Sequence, residues 1–134
     1  MATAAAPFEI DVQVQAEDVD GMGHVNNIVY VRWIQEVALA HWFAHAPADA
    51  RDFMTWVVLR HEIDYLRPAR PGDALRARTW IGEGQSLRYE RFTEIARADG
   101  TVLARARSVW CPVDTTTGRP RRVPPEVREA FSRA

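Results

Sequence analysis

The chain has 134 residues, a formal net charge of −1, 47% apolar residues and 26% charged residues. That length suits one domain able to bury a real core. A charge so near zero excludes the broad attraction that non-specific binding to nucleic acid or an anionic membrane needs.

All 17 basic residues are arginine. A bias in codon composition explains this; phosphate or carboxylate recognition would use it too. The single cysteine, Cys111, forbids an internal disulfide and permits a reducing compartment. It ends a strand-like run beside Trp110, has no basic neighbour, and reads as a buried structural thiol. Met1 to Pro7 lacks the basic region and apolar segment of a signal peptide. No apolar run approaches the roughly 20 residues of a membrane span. The expectation is a soluble, cytoplasmic protein with no membrane partner and no nucleic-acid partner.

In chain order, Phe8 to Glu17 alternates apolar and polar without a break, which predicts a half-buried strand. A glycine-bearing loop follows. Asn27 to Ala44 then reads as a helix with two apolar stripes. One holds Ile28, Val31, Ile34, Ala38 and Trp42; the other holds Tyr30, Trp33, Val37, Ala40 and Ala44. Only Arg32, Gln35 and Glu36 leave a polar strip, so the helix should be wrapped by other structure rather than laid on a surface. Its length of roughly 26 Å is enough to cross a sheet.

Four strands are expected next: Thr55 to Leu66, Ala74 to Gly82, Ser86 to Ala98 and Thr101 to Val113. They are separated by Arg67–Asp73, Gly82–Gln85 and the hairpin signal Asp99-Gly100. Pro124 to Phe131 reads as a short terminal helix opened by proline. The fold class is therefore α+β: one domain over residues 1–134, with an antiparallel sheet of about five strands curled around one long helix.

The densest chemistry lies in Asp18-Val-Asp-Gly-Met-Gly-His-Val-Asn-Asn27, where carboxylates, an imidazole and amides run straight into the helix start. The first turn of a helix carries unpaired N–H groups that favour negative charge. Acyl chemistry needs that combination: a carboxylate to attack a carbonyl or activate water, and donors aimed at the oxygen that becomes negative. Each residue also has a plain reading. Asp20 suits a turn, Asn26 and Asn27 suit a helix cap, Gly23 suits a turn or close ligand approach, and Asp18 orients the loop. His41 and His45 have the four-residue spacing of metal ligands, but no third ligand is apparent, so no metal is expected.

The segment Asp18-x-Asp20-x-x-Gly23-His24-Val25-Asn26-Asn27-x-x-Tyr30-x-x-Trp33 resembles the hot-dog-fold acyl thioesterases of the 4-hydroxybenzoyl-CoA thioesterase type. It is also similar to the plant acyl-carrier-protein thioesterases, which share its His-Val-Asn-Asn-x-x-Tyr run. The resemblance implies that Asp20 is the catalytic carboxylate, that the N–H of Asn27 binds the thioester carbonyl, and that His24 assists. Asp64, in Ile63-Asp64-Tyr65, is matched across a gap to a catalytic acid. Gly23, Asn26 and Tyr30 are the implied substrate contacts.

The resemblance further implies an acyl-CoA or acyl-carrier-protein substrate, no cofactor, and a homodimer with sites at the subunit interface, paired into a tetramer. Met22 departs from the plant pattern, which has asparagine there. Glu83-Gly-Gln85 stands where relatives place basic residues. Two other functions fit the same fold: a non-catalytic acyl-thioester-binding module, and a hydratase or dehydratase with His24 as base.

Overall fold

A computed structural model describes residues 7–132, so the expectation for the N-terminal stretch falls, apart from Pro7, outside the described residues. The elements are β1 (Phe8–Gln13), α1 (Asn27–His45), α2 (Ala50–Phe53), β2 (Met54–Tyr65), β3 (Ala74–Gln85), β4 (Arg88–Arg97), β5 (Val102–Asp114) and α3 (Pro125–Ser132). The five strands form one antiparallel sheet in the order β1-β3-β4-β5-β2. The expected α+β, curved-sheet hot-dog architecture is the one observed.

This order forces the position of α1. It connects β1 and β2, which lie on opposite edges of the sheet. Four strand spacings come to roughly 19 Å, and a helix of 19 residues extends roughly 28 Å. The connection is therefore long enough to cross the whole sheet face.

Alternation along the strands decides what meets the helix. Leu75 and Ala77 of β3, Ile95 of β4 and Ala104 of β5 join Val29, Tyr30, Trp33 and Val37 of α1 in one core cluster. A smaller cluster of Trp42, Ala50, Met54, Val123 and Val127 closes the far end beneath α3. Cys111 is buried, as expected of a structural thiol.

Three sequence expectations need correction. The strand foreseen to Glu17 stops at Gln13, and Ala16–Asp18 forms a turn of 3₁₀-helix. The alternation ends early because Asp18, expected to orient the loop, turns inward and accepts from Gln15 N–H and Arg32, drawing the chain into a turn. Next, the helix is wrapped on one face only. Val29, Tyr30, Trp33, Ile34, Val37, Ala38, His41 and Trp42 are buried, whereas Ile28, Leu39 and Phe43 stay 72%, 48% and 57% exposed. Most of both apolar stripes is covered; the exposed Leu39 and Phe43 lie outside them, on the side of the helix turned away from the sheet.

The third correction concerns Gly82 and Gly84, which do not break the strand. β3 continues to Gln85 and turns through Ser86 and Leu87. A Cβ on Gly84 would run into the Tyr89 ring, and one on Gly82 would lie 2.5 Å from Cε2 of Phe92. The glycines are seats for aromatic rings on β4. Gly84→Ala should therefore cost about 1–3 kcal/mol through overpacking. Gly21→Ala, whose Cβ meets nothing within 4 Å, should stay within about 0.5 kcal/mol. Urea denaturation of the two variants measures the difference.

Candidate active site

Residues 18–27 fold back as a closed loop. Val19 and Val25 form an antiparallel bridge, Asn26 N–H donates to Asp18 O at 2.8 Å, and Asp20 N–H donates to His24 O at 2.8 Å. Gly23 sits at φ +76°, the left-handed conformation that glycine adopts without strain. The loop is pinned to the β2–β3 connection through Ala69, whose carbonyl accepts from Val25 N–H at 2.9 Å. The Ala69 N–H donates to the Tyr30 hydroxyl, also at 2.9 Å.

Asp20 stands at the turn of this loop. Its Oδ1 accepts from the N–H groups of Met22 at 2.8 Å and His24 at 3.1 Å. These are the bonds of a turn aspartate, as the plain reading foresaw. They occupy one carboxylate oxygen and leave Oδ2 without a partner among the described residues.

The helix opens on Asn26, whose Oδ1 accepts from Ile28 N–H at 3.3 Å. Asn26 is thus the capping residue, and the expectation that the Asn27 side chain caps is corrected. Asn27 is the first helical residue. Its own N–H has no partner among the described residues, as the geometry of a first turn dictates.

Asp20, His24, Asn27 and Tyr30 line one open cavity of about 210 Å³ together with Tyr65, Leu66 and Pro68. Gly23 and Asn26 flank it as loop turn and helix cap. Tyr65 was not singled out from the sequence. It donates its O–H to the carbonyl of Asn27 at 3.1 Å and packs edge-on against Tyr30 at 5.3 Å. Its signal was its place in the alternation, two residues beyond the inward-facing Ile63. Burial pushes the phenols of Tyr30 and Tyr65 above their usual range, so both keep their protons at neutral pH.

Asp64 is not in this cluster. It is exposed on the outer face of β2, opposite Arg105 and in phase with Arg60 and Glu62. That face carries ion pairs: Arg60–Glu62 at 3.0 Å, Arg107–Glu62 at 3.2 Å and Arg105–Glu94 at 3.1 Å. A strand sends neighbouring residues to opposite sides, so Tyr65 faces the helix and Asp64 cannot do so within the same chain.

The profile of the thioesterase-like superfamily matches residues 14–131. The chain belongs to that superfamily. Among similar sequences is an acyl-CoA thioester hydrolase of Escherichia coli O6:H1, 28% identical over 92% of this chain and 95% of that one. Another is a chloroplastic acyl-[acyl-carrier-protein] hydrolase of Cuphea viscosissima, 31% identical over 65% of this chain but only 21% of its own length. The plant relatives are thus several times longer than this chain. Among solved structures, a Thermus thermophilus thioesterase in complex with coenzyme A and zinc has TM-score 0.83 and 26% identity, covering 97% of this chain and 100% of that one. A 1,4-dihydroxy-2-naphthoyl-CoA thioesterase from Synechocystis, at 22% identity over 93% of this chain and 95% of that one and TM-score 0.79, shares the fold.

The superfamily member holds a second polar group at the other end of α1. His41 Nδ1 lies 2.9 Å from Nη1 of Arg91, so its lone pair accepts from the guanidinium. A nitrogen so engaged cannot also bind a metal. Among the described residues, no group of three or more His, Cys, Asp or Glu is placed to hold one.

Burial first, then the charges of Arg91 and His45, pull the His41 pKa down from 6.5 to about 3. The unfolded chain therefore binds a proton there that the folded chain rejects. Stability is full above pH 6.5 and is lost as pH falls from about 6.5 toward about 3. By linkage, His41 should remove about 2 kcal/mol between about pH 7 and about pH 5. Denaturation midpoints against pH measure this. In His41→Asn, which keeps an acceptor and cannot titrate, the slope should flatten, leaving the smaller downward-shifted contribution of His61.

Proposed function

We propose that the chain hydrolyses an acyl-CoA or acyl-carrier-protein thioester to a free acid and a thiol. The observation that carries this reading is the convergence on one cavity of the Asp20 carboxylate and Asn27, whose N–H has no partner among the described residues. Asp20 acts as general base on water or as nucleophile through Oδ2. The Asn27 N–H polarises the thioester carbonyl and takes the charge that develops on its oxygen. Such a donor is fixed in advance by the helix and needs no reorganisation during reaction. His24, across the loop from Asp20, assists as proton donor to the departing thiolate. Superfamily membership and the named activity of the Escherichia coli relative support the reaction class.

The turn bonds of Asp20 favour a second reading, an acyl-thioester-binding module in which this residue is purely structural. Asp20→Asn separates the two, because an amide oxygen accepts the same two N–H bonds but cannot serve as base or nucleophile. Thiol release from a graded series of acyl-CoAs should fall by roughly 10²–10⁴-fold in Asp20→Asn, with the thermal midpoint nearly unchanged. Full turnover in that variant would establish the binding-module reading. Saturated acyl groups in the series also exclude hydration chemistry, which needs an unsaturated chain and releases no thiol.

The oxyanion donor is testable because position 27 is the one helical site that tolerates proline. The preceding Asn26, at φ −62° and ψ 138°, already has a backbone compatible with a following proline. Asn27→Pro deletes the N–H together with the side-chain amide and should cut kcat by roughly 10²–10³-fold, whereas Asn27→Ala, which deletes the amide alone, should not.

The working form in this reading is a homodimer, paired into a tetramer. Its support is the outer edge of the 12-residue strand β2, which pairs with no further strand among the described residues. Exposed Val57 and Leu59 on β2, and Ile28, Leu39 and Phe43 on α1, add to it. Long bare edges and apolar patches of this kind are normally covered. Light scattering should give an even-numbered oligomer, and Leu59→Arg combined with Phe43→Glu should lower the mass and the activity together.

A further inference from the structure

A second cavity opens beneath the outer half of α1. Counted along the helix, Leu39 at its rim lies twelve residues from Asn27, roughly 18 Å away. Trp42, Trp56, Tyr89, Trp110 and Phe131 form its walls, and Arg91 enters it from β4. Its volume is about 50 Å³. A water needs about 10–15 Å³ on that measure, so the cavity suits a compact group and not a long acyl chain.

The polar content of this cavity is one-sided. Arg91 is largely buried, and its hydrogen bonds to His41 Nδ1 at 2.9 Å and Thr79 Oγ1 at 3.0 Å both leave from Nη1. Both partners are neutral. No carboxylate pairs with Arg91 among the described residues. Glu90, the one acid in the lining, gives its carboxylate to Arg107 on the opposite face of the sheet. Burial lowers the Arg91 pKa only to about 10, so the guanidinium keeps its charge at neutral pH. The lining is mostly apolar and aromatic, and Arg91 is its one cation, with no anion paired to it among the described residues. A buried cation without a counter-ion is costly, and a guanidinium fork fits a carboxylate through two parallel bonds.

We propose that this cavity binds a carboxylate carried on a short apolar or aromatic stem, with Arg91 holding the carboxylate and the aromatic walls taking the stem. Two sources share that chemistry: a free carboxylic acid, which is the product class of thioester hydrolysis, and the distal carboxylate of an acyl group bound at a second copy. The link to either source rests on the thioesterase reading; the site itself does not.

Three wall tryptophans make binding visible without turnover. The whole protein is titrated with benzoate and with benzyl alcohol, equal in shape but differing in charge, and tryptophan emission is followed. Benzoate should bind roughly tenfold or more tighter than the alcohol. Arg91→Met should abolish that preference while leaving the alcohol's affinity in place. Should Arg91→Met fail to fold, Ile81→Trp, which fills the rim, should abolish binding of both. A parallel kinetic arm compares ω-carboxyl acyl-CoAs with plain acyl-CoAs of equal length. A kcat/KM preference for the former that disappears in Arg91→Met assigns the distal carboxylate; benzoate binding without that preference assigns the free acid. Equal binding of benzoate and alcohol, or a preference that survives Arg91→Met, overturns the proposal. Failure of the hydrolase reading would appear separately, as no thiol release from any acyl-CoA.

Discussion

The carboxylate of Asp18, only 1% exposed, is the constraint on which the candidate active site depends. Both of its oxygens lie 3.1 Å from Nη2 of Arg32, one turn into α1, and Oδ2 also accepts from Gln15 N–H at 2.8 Å. One side chain thus ties the end of β1, the loop and the helix. The backbone bond from Asn26 to the Asp18 carbonyl closes the base of the loop beneath it. With both ends of the loop held, the short Asp20–His24 turn has few ways to lie, and Asp20 shares a cavity with the opening of the helix. A carboxylate this buried persists only when its acceptor capacity is used, and here three N–H contacts use it.

The second organising fact is the mismatch between one apolar helix and one sheet face. The buried face of the helix takes Tyr30, Trp33 and Val37 from one stripe and Ile34, Ala38 and Trp42 from the other. The sheet also carries polar groups on the covered side, in Thr79, Thr93, Ser108, His61 and Arg91. These satisfy one another in part: Thr93 donates to Thr79 at 3.3 Å, Arg91 donates to Thr79, and His61 lies 2.7 Å from Ser108 Oγ. The cavity at the helix start is lined mainly by polar groups, and the one toward the helix end is mostly aromatic, with Arg91 entering it. Chemistry at one end of the helix and an aromatic cavity entered by Arg91 at the other follow from the same crossing geometry.

Much of the site was readable because it is local. Asp20, Gly23, His24, Asn26 and Asn27 fall within eight residues, so loop closure costs little and their juxtaposition needs no long-range contact. Tyr30 follows at the spacing of one helical turn. Asp64 shows where locality stops helping. Its match to a catalytic acid crossed a gap, and the two-residue period of β2 sends it outward while Tyr65 turns in. The glycines at 82 and 84 misled for a related reason, since their role is set by rings on the next strand, not by their own neighbours.

The sequence by itself determined the element order, the α+β class, the long helix start at Asn27 and the loop that carries the carboxylate, because periodicity, turn residues and capping act over a few positions. Tertiary structure alone decided which face of α1 is covered, which asparagine caps, that Tyr65 joins the site, and that Arg91 is largely buried with no carboxylate partner among the described residues. Those outcomes depend on which strands become neighbours, and contacts between residues dozens of positions apart leave no local trace in the chain.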